Sequence, residues 1–132
     1  MSEMLKTGIL NPQLNALLSR VRHTNTFVIA DRGFPFFSTI ETIDLSLVDD
    51  VPRVLDVLRA IRTNFTIGHI LMAEEFFTFN VPRTCDEFAE SLRGIALSYE
   101  PHTMFKMRVP EATGLIRTGD TVPYANMIIQ SS

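Results

Sequence analysis

The sequence predicts an α/β fold in one domain, residues 1–132, built on a mostly parallel sheet with helices on both faces. Three observations carry that expectation. Helical stripes alternate with short apolar runs along the whole chain, as the crossovers of a parallel sheet require. The runs Thr26–Ala30 and Ile67–Ala73 are apolar without a regular polar face, as strands buried on both sides are. A chain of 132 residues fits a single domain, and folding at that size buries roughly two-thirds of the unfolded surface, enough for a core without disulfides.

Each element has its own signal. Asn11-Pro12 opens the first helix, because the Asn side chain accepts from orphan amides and Pro at the first helical position forfeits no hydrogen bond. Leu14, Leu17, Leu18 and Val21 then recur at i, i+3, i+4 and i+7, one apolar stripe. Thr26–Ala30 is a strand that Asp31 ends, with Gly33 and Pro35 marking the turn beyond it. Asp50 precedes a second stripe of Val51, Val54, Leu55, Leu58 and Ile61, and Ile67–Ala73 is the next buried strand. Thr84 and Glu87 have the spacing of a capping box, and Phe88, Leu92 and the stop at Gly94 complete a third helix. Residues 95–98 read as a short strand, and Pro101 opens a short helix carrying His102 and Phe105. Residues 115–118 and 125–130 read as closing strands around a Gly119-Asp120 turn.

Composition narrows the function. With 45% hydrophobic and 20% charged residues the chain is globular, not disordered. A net charge of −3 supplies no basic field for a phosphate backbone, so nucleic acid is not the expected partner. The apolar runs are too short to cross a bilayer, and Met1-Ser2-Glu3-Met4-Leu5-Lys6 lacks the basic-then-apolar order of a signal peptide. Cys85 is the only cysteine, which excludes an intrachain disulfide and makes a reducing cytoplasm the expected compartment.

Parallel sheets place ligands beyond the carboxyl ends of their strands, where Asp31, Glu74, Glu75 and Thr118 fall. Glu74-Glu75 can serve as acid/base carboxylates, although a solvated or helix-capping role is commoner for adjacent residues. His69 lies inside an apolar strand and reads as a hydrogen-bonded sheet histidine. His23 in a polar connection and His102 near a helix start both have solvated surface roles as their simplest reading. No pair of histidines has metal spacing, and no nucleophile elbow or Gly-rich phosphate loop occurs. Phe34, Phe36, Phe37, Phe76, Phe77 and Phe79 can line a pocket, with core or interface packing the commoner use. What stands out is His23, Asp31 and His102 together with Arg117-Thr118-Gly119-Asp120 and Pro123-Tyr124-Ala125-Asn126. From chemistry alone these hint at a cofactor-free acid/base site for a polar small molecule.

In order and spacing, several of these segments match one family nearly end to end. They are Gly8-Ile9-Leu10-Asn11, His23-Thr24, Asp31-x-Gly33-x-Pro35, Ile43-Asp44-Leu45-Ser46-Leu47, Ala73-Glu74-Glu75, His102 with Phe105-Lys106, and Ile116-Arg117-Thr118-Gly119 leading to Pro123-Tyr124-Ala125-Asn126. The chain resembles the D-ribose pyranase / L-fucose mutarotase family, and is closest to the ribose pyranase branch. The resemblance implies a three-layer α/β/α domain with a largely parallel six-stranded sheet, assembled into ring-like homo-oligomers whose neighbouring subunits help complete a sugar site. It implies interconversion of sugar ring forms through transient ring opening, without cofactor or metal. By the same resemblance His23 is the catalytic histidine, and Asp31, His102, Tyr124, Ala125 and Asn126 bind substrate. Arg32 stands where the family usually has a small residue; it can pair with Asp31 or reach an anionic substrate, and so is a candidate for specificity. The chain also ends in Gln130-Ser131-Ser132, without the family's usual apolar tail.

The chemistry suits those roles. Opening a hemiacetal requires one proton to leave the anomeric hydroxyl while another reaches the ring oxygen. An unperturbed imidazole titrates near pH 6.5 and serves in either direction. Two other functions keep the same residues: a non-catalytic monosaccharide-binding or transport-accessory protein, and a phosphocarrier using His23 or His102.

Overall fold

A computed structural model describes Met4 and residues 8–132; apart from Met4, the segment read above for leader character lies outside the described residues. The chain runs α1 (Pro12–Arg20), β1 (Thr26–Ala30), β2 (Glu41–Asp44), α2 (Val54–Arg62), β3 (Ile67–Ala73), α3 (Glu75–Phe79), α4 (Pro82–Ser91), β4 (Ala96–Glu100), α5 (His102–Arg108), a 3-10 turn (Val109–Glu111), β5 (Gly114–Arg117) and β6 (Met127–Ser131). One six-stranded sheet has the order β2-β5-β1-β6-β3-β4. Five strands point the same way, and β6 runs antiparallel to both its neighbours.

Alternation along the strands builds two cores. Phe27 and Ile29 of β1, Ile70 and Met72 of β3, Ile116 of β5 and Met127 and Ile129 of β6 face α1, α2, α3 and α4. Val28, Ala30, Leu71, Leu115 and Ile128 point the other way, against Phe105 of α5, Val109, Ala112 and Phe34. This is the three-layer α/β/α arrangement, with β1 buried on both faces as its composition requires.

The local signals mostly hold, and the departures have physical reasons. Asn11 caps α1, its side chain accepting from Leu14 N–H at 2.8 Å. The second helix begins at Val54, not Val51. Asp50 sits at φ +64°, Val51 N–H donates to Val48 O at 3.1 Å in a tight turn, and Pro52 disfavours helical geometry in the residue before it. Asp56 accepts from Arg53 N–H at 2.8 Å, and Asp120, 66 positions later, accepts from Val54 N–H at 2.8 Å. The Thr84/Glu87 box does not form: α4 starts two residues earlier, at Pro82, whose fixed φ already suits a first helical turn. Strand β2 and the five-residue α3 have no counterpart in the sequence reading. The two closing strands do not pair with each other, because β1 lies between β5 and β6.

Gly119 is fixed by close approach. A Cβ there would lie 2.3 Å from Val48 O. Its own N–H donates to Pro52 O at 2.9 Å and its O accepts from Asp50 N–H at 2.6 Å, which binds the 48–52 turn to the end of β5.

Candidate active site

The direction of β6 creates the site. Because β6 is antiparallel, its first residues lie at the edge where β1 and β5 have their carboxyl ends, with Ile29 paired to Met127. Asp31, one step beyond β1, therefore meets Asn126, one step before β6. Asp31 N–H donates to Asn126 Oδ1 at 2.7 Å, and Gly33 N–H donates to Asp31 Oδ1 at 3.0 Å. Arg117 closes the frame from β5, donating to Asp31 O at 3.2 Å, Arg32 O at 3.3 Å and Pro35 O at 3.4 Å. Thr118 Oγ1 donates to Ala30 O at 2.8 Å, and Arg32 N–H donates to Asp120 O at 3.0 Å.

Around this frame lies a cleft of about 250 Å³, lined by Asp31, Phe34, His102, Pro123, Tyr124 and Asn126 among others. Tyr124 adopts φ +58°, and its ring meets the His102 ring edge-on, at 5.0 Å and 81°. Phe34 stands edge-on to His102 at 6.1 Å, and Phe105 lies parallel to it at 6.0 Å. Phe34 thus belongs to the core and also walls the cleft. The sequence reading places it in the phenylalanine set able to line a pocket, and its position three residues after Asp31 is the feature that sets it apart from the others.

Electrostatics follow from this enclosure. Burial pushes the Asp31 carboxyl above its ordinary value, against the opposing pull of hydrogen bonds from Gly33, Asn126 and Phe34. Burial also pushes His102 below the ordinary histidine value, aided by the Lys106 ammonium and opposed by the Glu75 and Asp31 carboxylates. The cleft therefore holds a neutral imidazole at pH 7; with Nδ1 buried, Nε2 is the nitrogen left for a ligand, a donor or an acceptor according to the tautomer. Beside it are a carboxylate, a phenol and an amide, a set that matches several hydroxyl groups of a small polar ligand.

The remaining expected residues fall differently. Ala125 is fully buried and packs into the larger core, beside the cleft. Arg32 neither pairs with Asp31 nor lines the cleft. Its guanidinium pairs with Asp49 at 2.9 Å, both side chains largely exposed, because the residue after Asp31 points to the opposite side of the loop. His23 is exposed in a turn closed by Asn25 N–H to Arg22 O at 2.9 Å, at the amino end of β1. A five-residue strand spans about 16 Å, so a single copy does not bring His23 to Asp31.

A larger hollow of about 420 Å³ opens on the sheet face over β3, β4 and β6. Its polar groups largely satisfy one another: His69 Nε2 lies 2.8 Å from Ser98 Oγ, and Arg108 pairs with Glu100 at 2.5 Å. His69 is thus the hydrogen-bonded sheet histidine its strand context suggested. Among the described residues, no group of three His, Cys, Asp or Glu side chains could hold a metal ion, and no helix is long and apolar enough to cross a membrane.

Comparison with known proteins bears on the fold and the family. The chain is 41% identical over 128 residues to a D-ribose pyranase of Geobacillus kaustophilus, covering 97% of this chain and 93% of the relative. Bacillus subtilis RbsD, solved in complex with D-ribose, superposes with a TM-score of 0.90 at 32% identity, covering 98% of both chains. The fucose mutarotase of Streptococcus pneumoniae, solved with L-fucose, shares the fold at a TM-score of 0.79 and 20% identity, covering 93% of both chains. With a family model matching residues 4–132, the chain belongs to the RbsD / FucU transport protein family.

Proposed function

We propose that this protein is a cofactor-independent monosaccharide isomerase that interconverts the pyranose and furanose forms of D-ribose or a similar sugar by histidine acid/base catalysis. One observation carries the reading most directly. Asp31, His102, Tyr124 and Asn126 converge on one cleft in a chain 41% identical, over nearly its full length, to a D-ribose pyranase. The ribose complex of RbsD, 32% identical, supports the same ligand class.

In this account the cleft binds and orients the sugar. The Asp31 carboxylate accepts from sugar hydroxyls, Tyr124 donates and accepts, and neutral His102 does one or the other through Nε2. Asn126 holds Asp31 in place for the ligand, its carbonyl accepting from Asp31 N–H and its side chain also hydrogen-bonding to the Asp31 carboxyl. His23 moves the protons. As the ring opens it takes one from the anomeric hydroxyl and one is delivered to the ring oxygen. As the other ring closes, one passes from the attacking hydroxyl to the carbonyl oxygen, so each step leaves the sugar neutral. Positioned acid/base help is worth about 10²–10⁴-fold. Ring opening is already a spontaneous process in water, and no bond from carbon to hydrogen breaks. Because His23 lies at the far end of β1, it reaches the cleft of a neighbouring copy in a ring-shaped homo-oligomer. The expected compartment is the cytoplasm, where Cys85 stays a thiol.

NMR saturation transfer between ring forms of ribose at equilibrium tests this, with fucose, galactose and ribose 5-phosphate alongside. Faster pyranose–furanose exchange for ribose, lost in His23→Ala, is expected. Binding without acceleration would overturn the enzyme reading and leave a sugar-binding protein.

A further inference from the structure

We infer that Glu75 is a positioning residue for this cleft: its carboxylate fixes the first turn of α5 and thereby the place of the His102 ring. The inference deepens the proposed function and rests on it. Glu75 opens the short α3 that follows β3, 27 positions before His102 in the chain and outside the residues that line the cleft.

Helix α5 begins at His102, so the His102 N–H is one of the amides that a helix leaves without an internal partner. Pro101 before it has no side chain that can cap. Pro101 O is already taken by Met104 N–H at 2.9 Å and Phe105 N–H at 3.0 Å. Glu75 supplies what is missing: His102 N–H donates to its two carboxylate oxygens, at 3.0 and 3.1 Å. A charged acceptor makes this a stronger tie than a neutral cap. The neighbouring Glu74 N–H donates to Glu100 O at 2.9 Å, so α3 is fastened to the end of β4, immediately before α5.

The imidazole itself has little else to hold it. Nδ1 is buried and has no hydrogen-bond partner, and the ring is bounded by the aromatic walls of Phe34, Phe105 and Tyr124. Its position therefore follows its own backbone, and that backbone is set by Glu75. The charges that act on the ring are Glu75 on α3, Asp31 beyond β1 and Lys106 on α5 itself.

Three variants separate geometry from charge. Glu75→Gln keeps an oxygen acceptor at the same reach and loses the charge; Glu75→Asp keeps the charge and draws it back by one methylene; Glu75→Ala loses both. For each, kcat and KM for ribose come from saturation transfer, and His102 ring ¹H–¹⁵N shifts are recorded without sugar. The positioning role predicts kcat/KM near wild type for Glu75→Gln and a loss on the order of tenfold or more for Glu75→Asp and Glu75→Ala, as expected for a small misplacement of an active group. The His102 shifts move most in the latter two. Wild-type kcat/KM and shifts in Glu75→Asp, with only thermal stability lowered, would overturn it. So would the reverse order, with Glu75→Asp active and Glu75→Gln impaired. If wild type itself accelerates no exchange, the proposed function fails, while the sugar-free shifts still decide whether Glu75 sets the ring.

Discussion

The two ends of β1 contrast sharply. At the carboxyl end, Asp31 is held by Asn126, Gly33 and Arg117 from three different segments, and His102, Tyr124 and Phe34 close around it. Asp31 has hydrogen-bond neighbours, and burial shifts the titration of both Asp31 and His102. At the amino end, His23 stands exposed in a four-residue turn. Both ends carry residues that match the sugar-site positions of one family, yet a single copy completes only one of them. On the proposed function, the contrast divides the labour: one chain builds the binding cleft, and His23 of a second chain supplies the proton transfer.

The most drastic way to break this contrast is His23→Ala. It should reduce ring-form exchange on the order of 10²–10⁴-fold while ribose binding, read by NMR titration, persists. If binding is lost as well, the two ends do not divide the labour. Asp31→Asn acts on the other end. It should weaken ribose by about 1.5–3 kcal/mol, the worth of hydrogen bonds to a charged group, as read by calorimetric titration.

The same variant should raise Tm at pH 7. Burial holds the Asp31 pKa above its unfolded value of 3.8, so its contribution to stability is present below that pH. It is lost as pH rises through the folded pKa. The Tm gain of Asp31→Asn should therefore appear above pH 3.8 and level off beyond the folded pKa. In an NMR titration, His102 should show a midpoint below 6.5, and Asp31→Asn should lower it further by removing a carboxylate that favours the imidazolium.

Gly119→Ala tests the frame shared by the cleft and the 48–52 turn. The added methyl meets Val48 O at 2.3 Å, and overpacking of this kind costs about 1–3 kcal/mol, read as a lower midpoint of denaturant unfolding. Arg32→Ala should do least. The exposed Arg32–Asp49 pair is worth at most about 1 kcal/mol, and ribose affinity should be unchanged because the side chain faces away from the cleft. A marked loss of affinity would return Arg32 to the ligand.

Elements with a repeated local signal were readable in the sequence. The stripe of Leu14, Leu17 and Val21, with Asn11 before it, specifies α1, and the unbroken apolar runs specify β1 and β3. Glu41–Asp44 was not readable, because four residues with a charge at each end carry no strand pattern until β5 pairs with them. The start of α2 was misplaced because Val51 fits the stripe, while the turn that excludes it depends on Gly119, far along the chain.

The site itself depended on resemblance. Its residues come from four separate stretches, and only the antiparallel direction of β6, which has no local signal, places Asn126 beside Asp31. The separation of His23 from Asp31 was implicit in the sequence: eight positions with a strand between them cannot fold back on one another. The cap that Glu75 provides for His102 lies 27 positions away, beyond any capping pattern local to α5.

The claim that two copies share one site is tested most directly by mixing. His23→Ala and Asp31→Asn chains are co-expressed with different affinity tags, and mixed oligomers are isolated through both tags and assayed by ribose saturation transfer. If His23 serves a neighbour's cleft, some sites in the mixture combine an intact His23 with an intact Asp31, and exchange at low ribose concentration rises well above that of either variant alone. Mixed oligomers no more active than either parent would contradict the account.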